Sequence, residues 1–137
     1  MTEPLPARQV QVRMANDIVM ARRAARELCE RLGFGKADQT RLATAVSELT
    51  RNVILYAGEG NCVIEDRSNA THRRIVVLVE DHGPGIPDLE RALTDGYSSS
   101  GGLGAGLPGT RRLVDEFQIE SAPGLTRVTI ALNKPLR

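Results

Sequence analysis

The chain has no tryptophan, and its only aromatic side chains are Phe34, Tyr56, Tyr97 and Phe117. Base-stacking platforms for single-stranded nucleic acid need several exposed rings, so that class of binder is excluded. An excess of charge of one sign is also missing. The net charge is +1 in 137 residues, which gives no long-range pull toward nucleic acid or a membrane surface. No apolar run approaches the length of a membrane span, and Met1 to Arg8 holds no apolar signal core. The two cysteines, Cys29 and Cys62, lie far apart and fit no paired-thiol or zinc spacing. These absences predict one domain, 1–137, in a reducing cytoplasm, with no nucleic acid and no membrane among its partners. Its core must be built from Leu, Val, Ile and Ala.

What is present suffices for that core. Apolar residues make up 41% of the chain and charged residues 26%, an ordinary balance for a folding sequence. Ala7 to Met14 alternates, with Val10, Val12 and Met14 on one side, and predicts a strand. Asn16 or Asp17 can cap a helix carrying Ile18, Ala21, Ala25, Leu28 and Leu32 and ending near Gly33, with Cys29 as a small core residue. Arg22, Arg23 and Arg26 share its polar side, either as a solvated face or as a docking surface. A second helix runs from Lys36 or Ala37 to Tyr56, with Gly58 as its stop and Leu42, Val46, Leu49 and Val53 as its core stripe. Asn61 to Arg67 and Arg74 to Asp81 predict strands around a polar turn, Ser68 to Thr71. The unbroken apolar run Ile75 to Val79 marks the second of these as central and covered. A short helix over Pro87 to Leu93 and a glycine-rich stretch, Gly96 to Gly109, follow. Helix Leu107 to Glu116 and strands Phe117 to Ser121 and Thr126 to Leu132 close the chain. This order predicts an α/β (α+β) two-layer sandwich, with helices on one face of a mostly antiparallel sheet.

Three segments carry candidate chemistry. At roughly 100° per residue, Glu48 and Asn52 face the same way at the margin of the second helix's core stripe. Asn52 offers a neutral oxygen, and magnesium is commonly held by one or two protein oxygens plus phosphates. Glu48 could accept the proton of an attacking hydroxyl. The plainer alternatives are a hydrogen bond at a helix edge and a surface glutamate. Asp81 ends a buried strand, where an unpaired carboxylate is costly and needs donors. An ionised carboxylate only accepts hydrogen bonds, so Asp81 would select adenine, which presents an amino group where guanine presents a carbonyl. Gly83 and Gly85 permit close approach beside a flat base, although Asp-x-Gly-Pro-Gly also suits a plain turn, which His82 would serve. Ser100 to Leu107 leads into a helix and could bind phosphate through backbone N–H groups, or be only a flexible connection. It is neither a Walker loop nor a dinucleotide fingerprint. Neither His-Arg-Asp nor Asp-Phe-Gly occurs, so the conventional protein-kinase fold is excluded.

In this order the segments resemble the GHKL family, the ATPases and kinases built on the Bergerat ATP-binding fold, a mostly antiparallel mixed sheet with helices on one face. Ser47-Glu48-Leu49-Thr50-Arg51-Asn52 is similar to the family's N box, Asp81 to Ile86 to its G1 box, and Gly102 to Leu107 to its G2 box. Thr126 to Ile130 is similar to its last strand. Segments such as Leu55-Tyr56-Ala57-Gly58 and Gly109-Thr110-Arg111-Arg112-Leu113 resemble the branch formed by the stressosome switch kinases of the RsbT type, whose near relatives are the anti-sigma-factor kinases. The resemblance implies an ATP-dependent serine/threonine protein kinase using ATP and Mg2+. Glu48 would be the base and Asn52 the magnesium ligand. Asp81 and Thr126 would hold adenine, and Gly83, Gly85 and Ile86 would shape its pocket. Gly102, Gly104, Ala105, Gly106 and Leu107 would form the phosphate lid. Its implied partners are STAS-domain substrates and, after release, a PP2C-type phosphatase that it activates. Arg22 and Arg23 would contact a partner. The alternative role is an anti-sigma factor that sequesters a sigma factor and phosphorylates its antagonist. Two departures stand out. Tyr56 occupies a position, four after Asn52, that is often basic in sensor kinases, and Leu125 separates Gly124 from Thr126.

Overall fold

The computed structural model describes residues 3–94 and 106–136. Five strands and four helices follow in the order β1 (Arg8–Val12), α1 (Ala15–Arg31), α2 (Lys36–Tyr56), β2 (Gly60–Asp66), β3 (His72–Asp81), α3 (Leu89–Ala92), α4 (Gly106–Leu113), β4 (Glu116–Ala122) and β5 (Leu125–Pro135). The strands form one sheet in the order β1-β2-β3-β5-β4, and all four pairings are antiparallel. β3, with its apolar run, lies at the centre as the sequence predicts. Side chains alternate across a strand. Val10, Cys62, Val79, Val128 and Ile119 therefore form one row across the inner face, and Ile64, Val77, Ile130 and Phe117 contribute to the next. Cys62, Ile64, Val77 and Ile130 are fully buried there. Burying each large aliphatic side chain contributes roughly 1.5–3 kcal/mol.

Helices α1 and α2 pack on each other and on this face, and α4 packs on α2. Squeezed between the sheet and two helices, α2 is buried well beyond a single stripe: Ala45 to Thr50 are all buried. The hydroxyls of Ser47 and Thr50 escape desolvation by donating back to the carbonyls of Ala43 and Val46, at 2.9 and 2.7 Å. At the end of α2 the N–H groups of Ala57 and Gly58 both reach Val53 O, at 2.9 Å each. Gly58 takes φ +88°, the left-handed stop expected of glycine. Burial pushes the Cys62 thiol up to about 12. Burial, with repulsion from Asp38, does the same to Cys29. Both are inert core thiols.

Several local expectations shift. Met14 leaves the strand and stands exposed at the N-cap of α1. Neither Asn16 nor Asp17 is the cap. Asp17 lies within the first turn and accepts from the N–H groups of Arg13 and Met14, at 2.9 and 3.2 Å. The carboxylate thus satisfies donors outside the helix from inside it. Helix α4 stops at Leu113, because Glu116 is already in β4, opposite Ala131. No helix of the described residues is long and apolar enough to cross a membrane.

Candidate functional site

One transverse row of the sheet brings together two of the candidate site residues, Asp81 and Thr126. Gly60, Asp81, Thr126 and Ser121 are register partners in succession across β2, β3, β5 and β4. All lie at the end of the inner face, beyond the last apolar row. Asp81 and Thr126 are 8% and 9% exposed, so both polar groups stand at the margin of the core. Asp81 Oδ1 accepts the Gly83 N–H at 2.9 Å. No other described residue hydrogen-bonds this carboxylate, which leaves Oδ2 an acceptor without a protein donor. Thr126 Oγ1 lies 2.8 Å from Ser121 Oγ. Ser121 Oγ also accepts the Ile86 N–H at 2.8 Å. The serine therefore ties the exit of the acidic turn to the threonine. Sequence reasoning missed Ser121, because the only signal was its inward parity on β4.

The turn is held by close packing. Gly85 has φ +83°, and a Cβ there would lie 2.6 Å from Ala122 O. A Cβ on Gly83 would lie 2.5 Å from Ala57 Cβ. Glycine is required at both, at Gly85 for conformation and contact and at Gly83 for contact alone. The Gly83 carbonyl accepts the Gly124 N–H at 2.8 Å, and His82 Nδ1 lies 3.2 Å from Gly124 O. As expected, His82 serves the turn.

The Gly83–Ala57 contact presses the turn onto the end of α2. Gly60 tightens the same seam: a Cβ there would sit 2.8 Å from Val53 Cγ1 and 3.2 Å from Asp81 Cβ. The acidic turn and the end of α2, the helix that carries Glu48 and Asn52, thus meet in one corner of the molecule. Asn52 is half-buried, and its side chain makes no hydrogen bond to a described residue. Glu48 is not the surface glutamate of the plainer alternative. It is 6% exposed, inside the protein and not on its surface. Arg51 Nη1 donates to Glu48 Oε1 at 2.6 Å.

Gly106 starts α4 with φ +65°, and Leu107 is buried. Thr110, fully buried, donates from Oγ1 to Gly106 O at 3.1 Å. Gly102, Gly104 and Ala105 lie outside the described residues. Arg22 and Arg23 are exposed on α1, while Arg26 is drawn to Thr40 Oγ1 at 3.2 Å. A separate recess of about 290 Å³ opens beside the turn, lined by Arg13, Glu59, Asn61 and His82 among others.

An acceptor at Asp81 and an unpartnered amide oxygen at Asn52 fit a bound adenine and a hard cation respectively. Among the described residues no three His, Cys, Asp or Glu side chains gather as a metal cage.

Known proteins share this chain's sequence pattern and fold. Residues 10–132 match the family described as histidine kinase-like ATPase domain. The chain is 51% identical over 108 residues to the serine/threonine-protein kinase RsbT of Bacillus subtilis, covering 79% of this chain and 81% of that one. It is 33% identical over 95 residues to an anti-sigma F factor of Caldanaerobacter subterraneus, covering 64% and 66%. Two solved structures share the fold. The RsbU and RsbW domains of Rv1364c from Mycobacterium tuberculosis give a TM-score of 0.68 at 18% identity, over 98% of this chain and 34% of that one. The catalytic domain of histidine kinase ThkA gives 0.53 at 18% identity, over 91% and 95%. The fold is thus the Bergerat fold, and the chain belongs to the histidine kinase-like ATPase domain family, within which it is a homologue of the serine/threonine-protein kinase RsbT.

Proposed function

We propose that the chain transfers the γ-phosphoryl group of ATP to a serine or threonine of a STAS-domain partner protein. One observation carries the reading. The buried Glu48 carboxylate lies one turn before the unpartnered Asn52 on a helix whose end packs against the Asp81 turn. Asp81 Oδ2 accepts from the adenine amino group, and Thr126, oriented by Ser121, completes the base site. Gly83 and Gly85 shape the base pocket by letting the turn pack closely on Ala57 and Ala122, and Ile86 closes the turn. Asn52 would hold Mg2+, which supplies charge neutralisation at the phosphates when bound. Gly102, Gly104, Ala105, Gly106 and Leu107 would cover the phosphates. Glu48 takes the proton from the partner's hydroxyl as its oxygen bonds to the γ-phosphorus. The bond from that phosphorus to the bridging oxygen breaks, and its electron pair leaves with ADP.

As a switch, the kinase binds its substrate until phosphorylation releases it, and then binds and activates a PP2C-type phosphatase. The 51% identity to RsbT supports this role. A second reading, sequestration of a sigma factor, is favoured by the 33% identity to an anti-sigma F factor. Recovery of a sigma factor, in place of STAS or phosphatase proteins, in a pull-down would reverse the ranking.

The test of the chemistry is Glu48→Gln, incubated with radiolabelled ATP, Mg2+ and a cognate STAS protein. Transfer should fall at least ~100-fold, within the usual range for loss of a general base, with ATP binding changed little. Wild-type transfer by the variant would remove Glu48 as the base.

A further inference from the structure

We infer that Arg51 is the side-chain cation that contacts the γ-phosphate, beside the Glu48 base. The inference rests on the proposed kinase reading for the presence of a triphosphate. Its own footing is the 2.6 Å contact from Arg51 Nη1 to Glu48 Oε1.

The two members of this pair are unequal in exposure. The Glu48 side chain is 8% exposed and that of Arg51 39%. The guanidinium thus reaches solvent while holding one oxygen of the buried carboxylate. Among the described residues it uses one donor, on Glu48, and a guanidinium carries five. The rest are available to an incoming anion, and the planar fork matches phosphate oxygens. Because the Glu48 carboxylate is buried, removing Arg51 would also leave it without its partner, a cost to stability separate from any effect on nucleotide binding.

Chemistry at the site calls for such a cation. A base must stay ionised close to a triphosphate of the same sign, and the two repel across a partly dry cleft. Segment 95–105 contains no Lys or Arg, and position 56 is Tyr56. Three other arginines have partners elsewhere. Arg41 holds Asp38 and the Leu113 carbonyl. Arg111 reaches the Leu93 carbonyl, and Arg127 pairs with Glu80 and Glu120 on the other face of the sheet. Arg51 is the cation placed beside the base.

The test separates phosphate contact from support of the helix. Calorimetry should compare Mg2+ complexes of ADP and of a non-hydrolysable ATP analogue, on wild type, Arg51→Ala and Arg51→Lys. With Arg51 on the γ-phosphate, Arg51→Ala weakens the ATP analogue about 10-fold or more, as loss of a charge-assisted bond predicts. ADP affinity stays near wild type, the melting temperature of Arg51→Ala falls because the buried carboxylate loses its partner, and Arg51→Lys recovers part of the lost affinity for the ATP analogue. Equal weakening of both nucleotides, or no weakening of either, overturns the inference. If wild type binds nucleotide but labels no STAS protein, the kinase reading fails, while the ratio of the two affinities still decides the role of Arg51.

Discussion

At the scale of single residues, the corner is built by omission of side chains. The sheet end can lie against α2 because Gly60 and Gly83 carry no Cβ where Val53 and Ala57 press in. A methyl group at Gly83 would also stand 2.9 Å from Ala57 Cα, which is backbone of a packed helix and cannot swing aside. Gly83→Ala should therefore cost about 1–3 kcal/mol, in the range of overpacked sites, and weaken ATP binding by displacing Asp81. Gly35→Ala is the control. A Cβ there meets nothing within 4 Å, and φ is −74°. Urea denaturation of both variants checks this. Equal stabilities would mean that the turn yields freely. The DxGPG run marked the turn in the sequence, but the identity of its contact, Ala57, required the fold.

At the scale of elements, the outer face of the sheet is stitched by charge. Arg74 on β3 pairs with Glu116 at the start of β4, and the Asn133 amide of β5 donates to the same carboxylate at 2.7 Å. Hydrogen bonds from Arg74 first, then from Asn133, lower the Glu116 carboxyl from 4.5 to about 2. A carboxyl lowered on folding adds stability that is whole above its ordinary value. That stability is lost as pH falls from 4.5 through about 2. The side chain is 45% exposed, so screening limits the gain to about 0–1 kcal/mol. Glu116→Gln should then be slightly less stable than wild type at pH 7, with the two converging near pH 2. Chemical denaturation across that window measures the difference. A gap that persists at the lowest pH would assign the effect to something other than ionisation.

At the scale of the whole molecule, the two faces of α1 divide labour. Ala21, Ala24, Ala25, Leu28 and Cys29 are buried against the body of the protein, while Arg22 and Arg23 project outward. That leaves a basic surface exposed on α1. Reversing the charge in Arg22→Glu should weaken binding of a STAS-domain partner about 10-fold, as loss of a favourable interface charge does, and leave ATP affinity unchanged. Biosensor titration against that partner, beside ATP calorimetry, reads both quantities. An unchanged partner affinity would return Arg22 to ordinary solvated surface.

Periodicity and turn chemistry determined the elements, since the apolar spacing of α2 and the run Ile75 to Val79 follow from local geometry. The site's acidic turn and its helical Glu48/Asn52 pair were legible for the same reason: both are short-range patterns. Burial was not. Glu48 lay just outside the stripe by helical angle, yet α2 is packed by the sheet, by α1 and by α4, so the carboxylate ended inside. The Ser121–Thr126–Ile86 linkage joins three separate stretches of chain, and only strand register brought them into one row. Local spacing can state which residues share a face. What presses on that face is decided by contacts between distant segments, and these exist only once the chain has folded.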